Sequence, residues 1–234
     1  LRIANPPWAH GGPQMAHVAA LDLGLNPWPL LTREIHVSEL QLNGAVLSIE
    51  KQGERRKNWQ FNTTDDQAPG RWRFALDRLT LTESRVRYLE PDKHTDVQLA
   101  LNTERDGNLR WQTAGRYHGQ TLAGQGSAGA LLSLRQPGVR YPVDAQLSLG
   151  ETRLRAHGSV TDPADPSALD IQLTLSGASM ADLFPISGLL LPETPKFDTQ
   201  GRVVGRLTPG QLSLRYENFS GRVGHSDIAG TLTY

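Results

Sequence analysis

The sequence predicts an all-β protein: a long antiparallel sheet, twisted and curled into a groove or half-open barrel, with one or two short helices. Two observations predict it. Apolar residues alternate with polar ones over most of the chain, and only two segments carry helix signals. In the stretch from Leu76 to Thr103, the apolar positions are Leu79 and Leu81, then Val86 and Tyr88, then Val97, Leu99 and Leu101. Thr, Arg, Glu, Asp and Gln lie between them. Strands of this kind have one apolar and one wet face, and little helix is present to cover the apolar one.

Along the chain, the first residues LRIANPPW read as the middle of a strand and a turn. They are expected to belong to a piece of something longer. In LNPWPLLTREI, Asn26 can cap a helix of one or two turns, with Pro27 at its first position and Leu30 and Leu31 on its apolar side. SELQLNGAVLSIEKQ places Leu40 and Leu42 on one face, slips at Gly44, and resumes with Leu47 and Ile49. Such a slip predicts a bulge or tight corner.

Val143, Ala145, Leu147 and Leu149, then Leu154, Ala156 and Val160, then Leu169, Ile171, Leu173 and Leu175 continue the alternation. Between the last two strands and the closing run QLSLRYENFSGRVGHSDIAGTLTY lies the second helical segment, SGASMADLFPISGLL. There Ser179 and Asp182 resemble a capping box, and Leu183, Phe184, Leu189 and Leu190 form an apolar side. Turn chemistry at DGN, QPG, DPADPS and TPG separates the strands, each expected to be about 8–10 residues long. The loop-like NTTDDQAPGR suggests a boundary between an N-terminal subdomain, 1–64, and a continuing antiparallel β-groove, 65–234.

Composition excludes several functions. The 24 basic residues balance the 24 acidic ones, which argues against a nucleic-acid partner. No cysteine is present, so there are no disulfides, thiolate metal sites or cysteine nucleophiles. The seven histidines lack metal-ligand spacing, and no cofactor is expected. GQGSAG fits G-x-G-x-x-G through Gly124, Gly126 and Gly129, but no helix of useful length follows it. A glycine-rich strand is the simpler reading. No serine sits in a nucleophile elbow, and most carboxylates fall in turns or on wet faces, so the chain is not expected to be an enzyme. No apolar run approaches the ~18 residues of a membrane-spanning helix.

The segment from Leu21 to Phe61 resembles the opening domain of the AsmA family. The resemblance lies in a strand at Leu21–Leu25, a short helix around the Leu30–Leu31 pair and strands over Ile35–Glu50. Gly53 followed by Asn58, Trp59 and Phe61 completes it. FPISGLLLPETPKFDTQGRVVGRL and SGRVGHSDIAGTLTY are also similar to segments of AsmA-like proteins. The resemblance implies a periplasmic protein anchored in the bacterial inner membrane through segments absent from this sequence. It also implies a β-groove of the bridge-like lipid transfer type, directed towards the outer membrane.

A physical argument agrees with that expectation. An apolar sheet face must be covered or left as a large exposed patch, which soluble proteins avoid. Phospholipid acyl chains could cover it, each buried methylene contributing about 0.8 kcal/mol. The expected groove residues are Leu79, Leu81, Val86, Val97, Leu99, Leu101, Leu147, Leu149, Ile171, Leu173 and Leu175. The alternative is a closed β-sandwich scaffold or a glycan- or protein-binding module without lipid. Trp8, Trp28, Trp59, Trp72 and Trp111, all in the first half, leave room for it. Protein partners are not indicated.

Overall fold

Period-two alternation yields strands throughout the computed structural model, which describes residues 1–29, 34–53, 56–59, 73–136, 138–162, 168–188, 190–208 and 211–233. The chain forms two units, Leu1–Gly107 and Asn108–Tyr234. The boundary expected at 64/65 lies outside the described residues, as do Leu30, Leu31, Phe61 and Trp72. No described helix is long and apolar enough to cross a membrane.

The first unit contains β1 (Arg2–Ala4), β2 (Gln14–Asn26), β3 (Glu34–Gln52), β4 (Arg56–Lys57), β5 (Arg73–Leu76), β6 (Leu79–Thr82), β7 (Ser84–Glu90) and β8 (Thr95–Thr103). Its strand order is β1-β2-β3-β7-β8, with β4, β5 and β6 also paired to β3. The succession is not purely antiparallel. β5, β6 and β7 run parallel to β3, beginning at Glu34 opposite Arg73. After β4 the chain re-enters at the start of β3 and runs alongside it in the same direction. Parallel neighbours need such a long return connection.

β3 is 19 residues long, about twice the expected strand length. The slip at Gly44 does not end it. Gly44 takes a left-handed φ of 61° and Glu83 one of 48°. The two positions lie abreast, because Asn43 pairs with Thr82 and Val46 with Arg85. On the other side, Val18 pairs with Ala45 and Ala20 with Asn43. A left-handed residue turns the strand by one position. Since neighbouring strands turn at the same line, the register survives. Leu42 and Leu81 then share the less exposed side with Leu47 and Val86, whereas Gln41, Asn43, Thr82, Val46 and Arg85 are exposed. Beside Glu83, side chains of β8 replace part of the ladder: its N–H donates to Asn102 Oδ1 at 2.8 Å, and that of Leu81 to Thr103 Oγ1 at 3.0 Å.

The opposite face of this unit is sealed near the end of β3. Glu50 is fully buried and accepts the His10 and Gly11 backbone N–H groups at 2.7 and 2.8 Å. Asn58 receives the Glu50 N–H at 2.9 Å and donates to the Ser48 carbonyl and Asn5 Oδ1. The Asn of the Asn-Trp pair thus pins the loop before β2 onto β3. Nearby, Arg87 grips Asp96 with two hydrogen bonds of 2.8 and 2.7 Å.

The second unit contains β9 (Leu109–Tyr117), β10 (Gln120–Ala128), β11 (Arg140–Leu149), β12 (Thr152–Thr161), β13 (Ala168–Gly177), β14 (Phe197–Thr208), β15 (Gln211–Val223) and β16 (Ser226–Thr233). From β10 onward each pairs antiparallel with its predecessor, and among the described residues β16 pairs only with β15. The sheet is open, so the closed sandwich is not what the described residues form. Gly124 and Gly126 stand within β10, which confirms the strand reading of GQGSAG. A Cβ at Gly126 would meet the Asp144 carbonyl and the Trp111 ring. Only a 3-10 turn, Leu131–Arg135, follows.

Between β13 and β14 the chain makes a 3-10 turn, Met180–Leu183, and one helical turn, α1 (Phe184–Ser187). Ser179 caps it by accepting from the Ala181 N–H at 3.3 Å. Leu183 is buried, but Phe184 is 49% exposed and Leu190 89%. The expected packing of Phe184 is therefore corrected: in so short a helix the adjacent position already points away from the sheet. Leu189 lies outside the described residues. Near Asn26, whose Oδ1 accepts the Trp28 N–H at 3.3 Å, Trp28 is exposed.

Phe197, at 1% exposure, packs its ring against Gly177. Phe197→Ala should cost about 3–5 kcal/mol in urea unfolding, and Phe184→Ala less than about 1 kcal/mol. Equal effects of the two would contradict this packing. A second prediction concerns acid. The Arg87 guanidinium holds the Asp96 carboxyl below its ordinary value, with burial opposing it. A depressed carboxyl contributes stability above its unfolded pKa of about 4, lost as pH falls through the folded value. Both side chains are partly exposed, so Arg87→Met should remove under about 1 kcal/mol at neutral pH, and less in acid. Melting curves across that range check the sign.

Candidate functional site

Cross-strand register assembles one apolar face in each unit. In the first, Leu79 lies opposite Leu40 and Leu81 opposite Leu42, while Val86 pairs with Leu99 and Tyr88 with Val97. Leu81 and Leu101 are buried, and Leu79, Val86, Val97 and Leu99 are half-buried. The same side continues onto β2 through Leu21, Leu23 and Leu25, paired with Leu42, Leu40 and Val37. These three leucines are 46–53% exposed. They were not among the expected groove residues, although the alternation LDLGL in the sequence signals them.

This face becomes polar at one end. There Tyr88 donates to Glu90 at 2.8 Å, and Lys51 and Lys93 approach the same carboxylate at 3.4 and 3.2 Å. Burial pushes the Glu90 carboxyl up, but the Tyr88, Lys93 and Lys51 contacts outweigh it and leave the carboxyl below its ordinary value. The Glu90 charge is therefore held by two ammonium groups and a phenol.

In the second unit, Leu147 lies opposite Leu154, and Leu154 opposite Leu175. Ala156 opposes Leu173, and Gly158 opposes Ile171. Leu149 and Ile171 are buried. The alternate positions face outward and carry paired charges. Arg202 holds Asp170 with two bonds of 2.8 Å, which keeps that carboxyl below its ordinary value. His157 Nδ1 lies 3.0 Å from Asp144, and Arg222 lies 3.2 Å from Asp227.

Over β12 to β16 the apolar side forms a cavity of about 410 Å³. Of the expected residues, Leu173 and Leu175 line it. The sequence reading missed Val203, Leu214, Tyr216, Phe219, Ile228 and Leu232 on the floor, and Met180 and Ile186 above, while Leu183 packs there as its place on the apolar side of the short helical segment predicts. The floor strands alternate like the others, and that signal was present. The aromatic rings of Tyr216 and Phe219 stack at 5.3 Å, and a Cβ at residue 201 would collide with the Tyr216 ring and with Cα and Cβ of Phe219. Burial pushes the Tyr216 phenol up. No described group of three or more His, Cys, Asp or Glu residues could hold a metal ion.

In each unit the described residues thus form an open β-sheet with one largely aliphatic face and one charged face. The AsmA family model matches residues 1–113 and again 102–234. The chain is 30% identical over 248 residues to AsmA family protein YhjG of Escherichia coli (strain K12), an alignment covering 94% of this chain and 36% of that relative. The chain belongs to the AsmA family. It spans about a third of the length of this curated relative, and no solved structure matches it.

Gly126→Ala tests the close packing of the inner face. The new methyl has no room beside the Asp144 carbonyl and Trp111, so the variant should lose about 1–3 kcal/mol in thermal unfolding. An unchanged melting temperature would show that β10 and β11 can separate at no cost.

Proposed function

We propose that this chain binds phospholipid acyl chains on its apolar faces. It would do so as part of an inner-membrane-anchored protein that bridges the periplasm and passes lipid towards the outer membrane. The observation that supports the reading best is that aliphatic stretches of these faces remain partly uncovered. Leu21, Leu23 and Leu25 in one unit and the cavity in the other present hydrocarbon and almost nothing else. Acyl chains gain free energy there by leaving water, and no single hydrogen bond fixes them in place. Such a surface holds a lipid yet lets it slide. The role is binding and conduction, not catalysis. Membership of the AsmA family supports a related role.

Two charge substitutions test the proposal. Leu99→Asp and Leu173→Asp each place a carboxylate mid-strand on an apolar face. Beside an acyl chain that charge is costly, but on an open face it keeps part of its hydration. In the intact protein, each variant should accumulate normally in the periplasmic fraction while photo-crosslinking to lipid from a neighbouring position falls. Normal crosslinking with the charge in place would overturn the reading. So would native mass spectrometry finding no co-purified phospholipid on the wild type.

A further inference from the structure

The segment between β13 and β14 does more than connect them. Its two feet are fastened to each other. Ser179 Oγ accepts the Thr194 N–H at 3.0 Å, and Thr194 Oγ1 accepts the Met180 N–H at 3.0 Å. A loop with its ends joined and its own side chains packed beneath it behaves as a compact unit. Gly188 ends its helical turn with a left-handed φ of 70°, and its N–H donates to the Phe184 carbonyl at 2.8 Å.

Beneath this loop its side chains do not fill the space. Met180, Leu183, Ile186 and Leu191 point into the cavity, yet about 410 Å³ remains and Ile186 is still 42% exposed. That volume lies in the range of small-molecule sites, whereas packed interiors hold few voids larger than a water molecule. The lining restricts the occupant. Among the described lining residues only Thr199 and Tyr216 are polar, and the Tyr216 hydroxyl donates to Thr199 Oγ1 at 3.4 Å. A sugar or peptide would leave its own polar atoms unpaired here. An unbranched hydrocarbon chain leaves none.

We infer that the Ser179–Thr194 loop is the cover of a holding site for a single acyl chain on the apolar face of the second unit. The inference rests on the proposed lipid-binding function and adds where a chain is retained and what retains it. A chain on the open face can leave sideways. Beneath the cover it leaves only when the loop lifts, and the reciprocal Ser–Thr bonds set how readily that happens.

The test uses the whole chain and a polyene fatty acid whose fluorescence rises in apolar surroundings, with oleate as competitor. Leu183→Trp fills the cavity from the cover. Leu232→Trp fills it from β16, where the native side chain is 54% exposed and a larger ring has room to be accommodated without unfolding. Both should abolish a slowly exchanging fraction of bound probe and spare the fast one. Ser179→Ala combined with Thr194→Val should keep the amount bound but speed release roughly fivefold to a hundredfold, as the loss of two net hydrogen bonds implies. If Leu232→Trp binds and releases the probe as the wild type does, the covered site is refuted and the broader lipid reading stands. Release unchanged in the double variant refutes the cover. If the wild type binds no probe at all, the lipid-binding reading itself fails.

Discussion

A β-ladder satisfies the backbone of every strand it joins, but it leaves each strand with two faces that need different surroundings. Here one face is aliphatic over strand after strand, and the chain supplies little helix to lie on it. That mismatch between apolar area and available cover governs the rest of the structure. It explains why the outer positions carry Asp170–Arg202 and Asp144–His157 pairs, while the inner ones carry leucine, valine and glycine. It also explains why leucines on β2 stand half in water.

Keeping the apolar residues on one side over long strands requires coordinated backbone geometry. Gly44 and Glu83 both adopt left-handed conformations at the same line of the first unit, so adjacent strands change phase together. A change in one strand alone would send its leucines to the wet face. In the second unit, glycines serve a different purpose. Gly126 and Gly201 make room for the rings of Trp111 and Tyr216, which lie across the neighbouring strand.

Electrostatics is confined to places where it does not disturb that surface. Glu90 is on the apolar side of the first unit, but Tyr88, Lys51 and Lys93 hold its charge. Glu50 is buried on the other side and anchors the loop before β2 through backbone N–H groups. The Asn58 of the family-like Asn-Trp pair closes the same clasp, which identifies that motif as structural.

Alternation by itself determined the all-β class, the apolar positions and the strand identity of GQGSAG, because side-chain direction in a strand is a local property. The phase slip at Gly44 was equally legible. What the slip does was not: whether it ends a strand or carries it onward depends on the neighbour having a matching slip, here at Glu83. The parallel run of β5, β6 and β7 beside β3 was likewise settled by long-range pairing that no local signal encodes. Phe184 and Leu183 are adjacent and similarly apolar, yet one faces water and the other the cavity. Only the path of the loop over the sheet separates them. The cavity itself arises where residues of five strands and one loop converge, and convergence in space is a property of the tertiary structure alone.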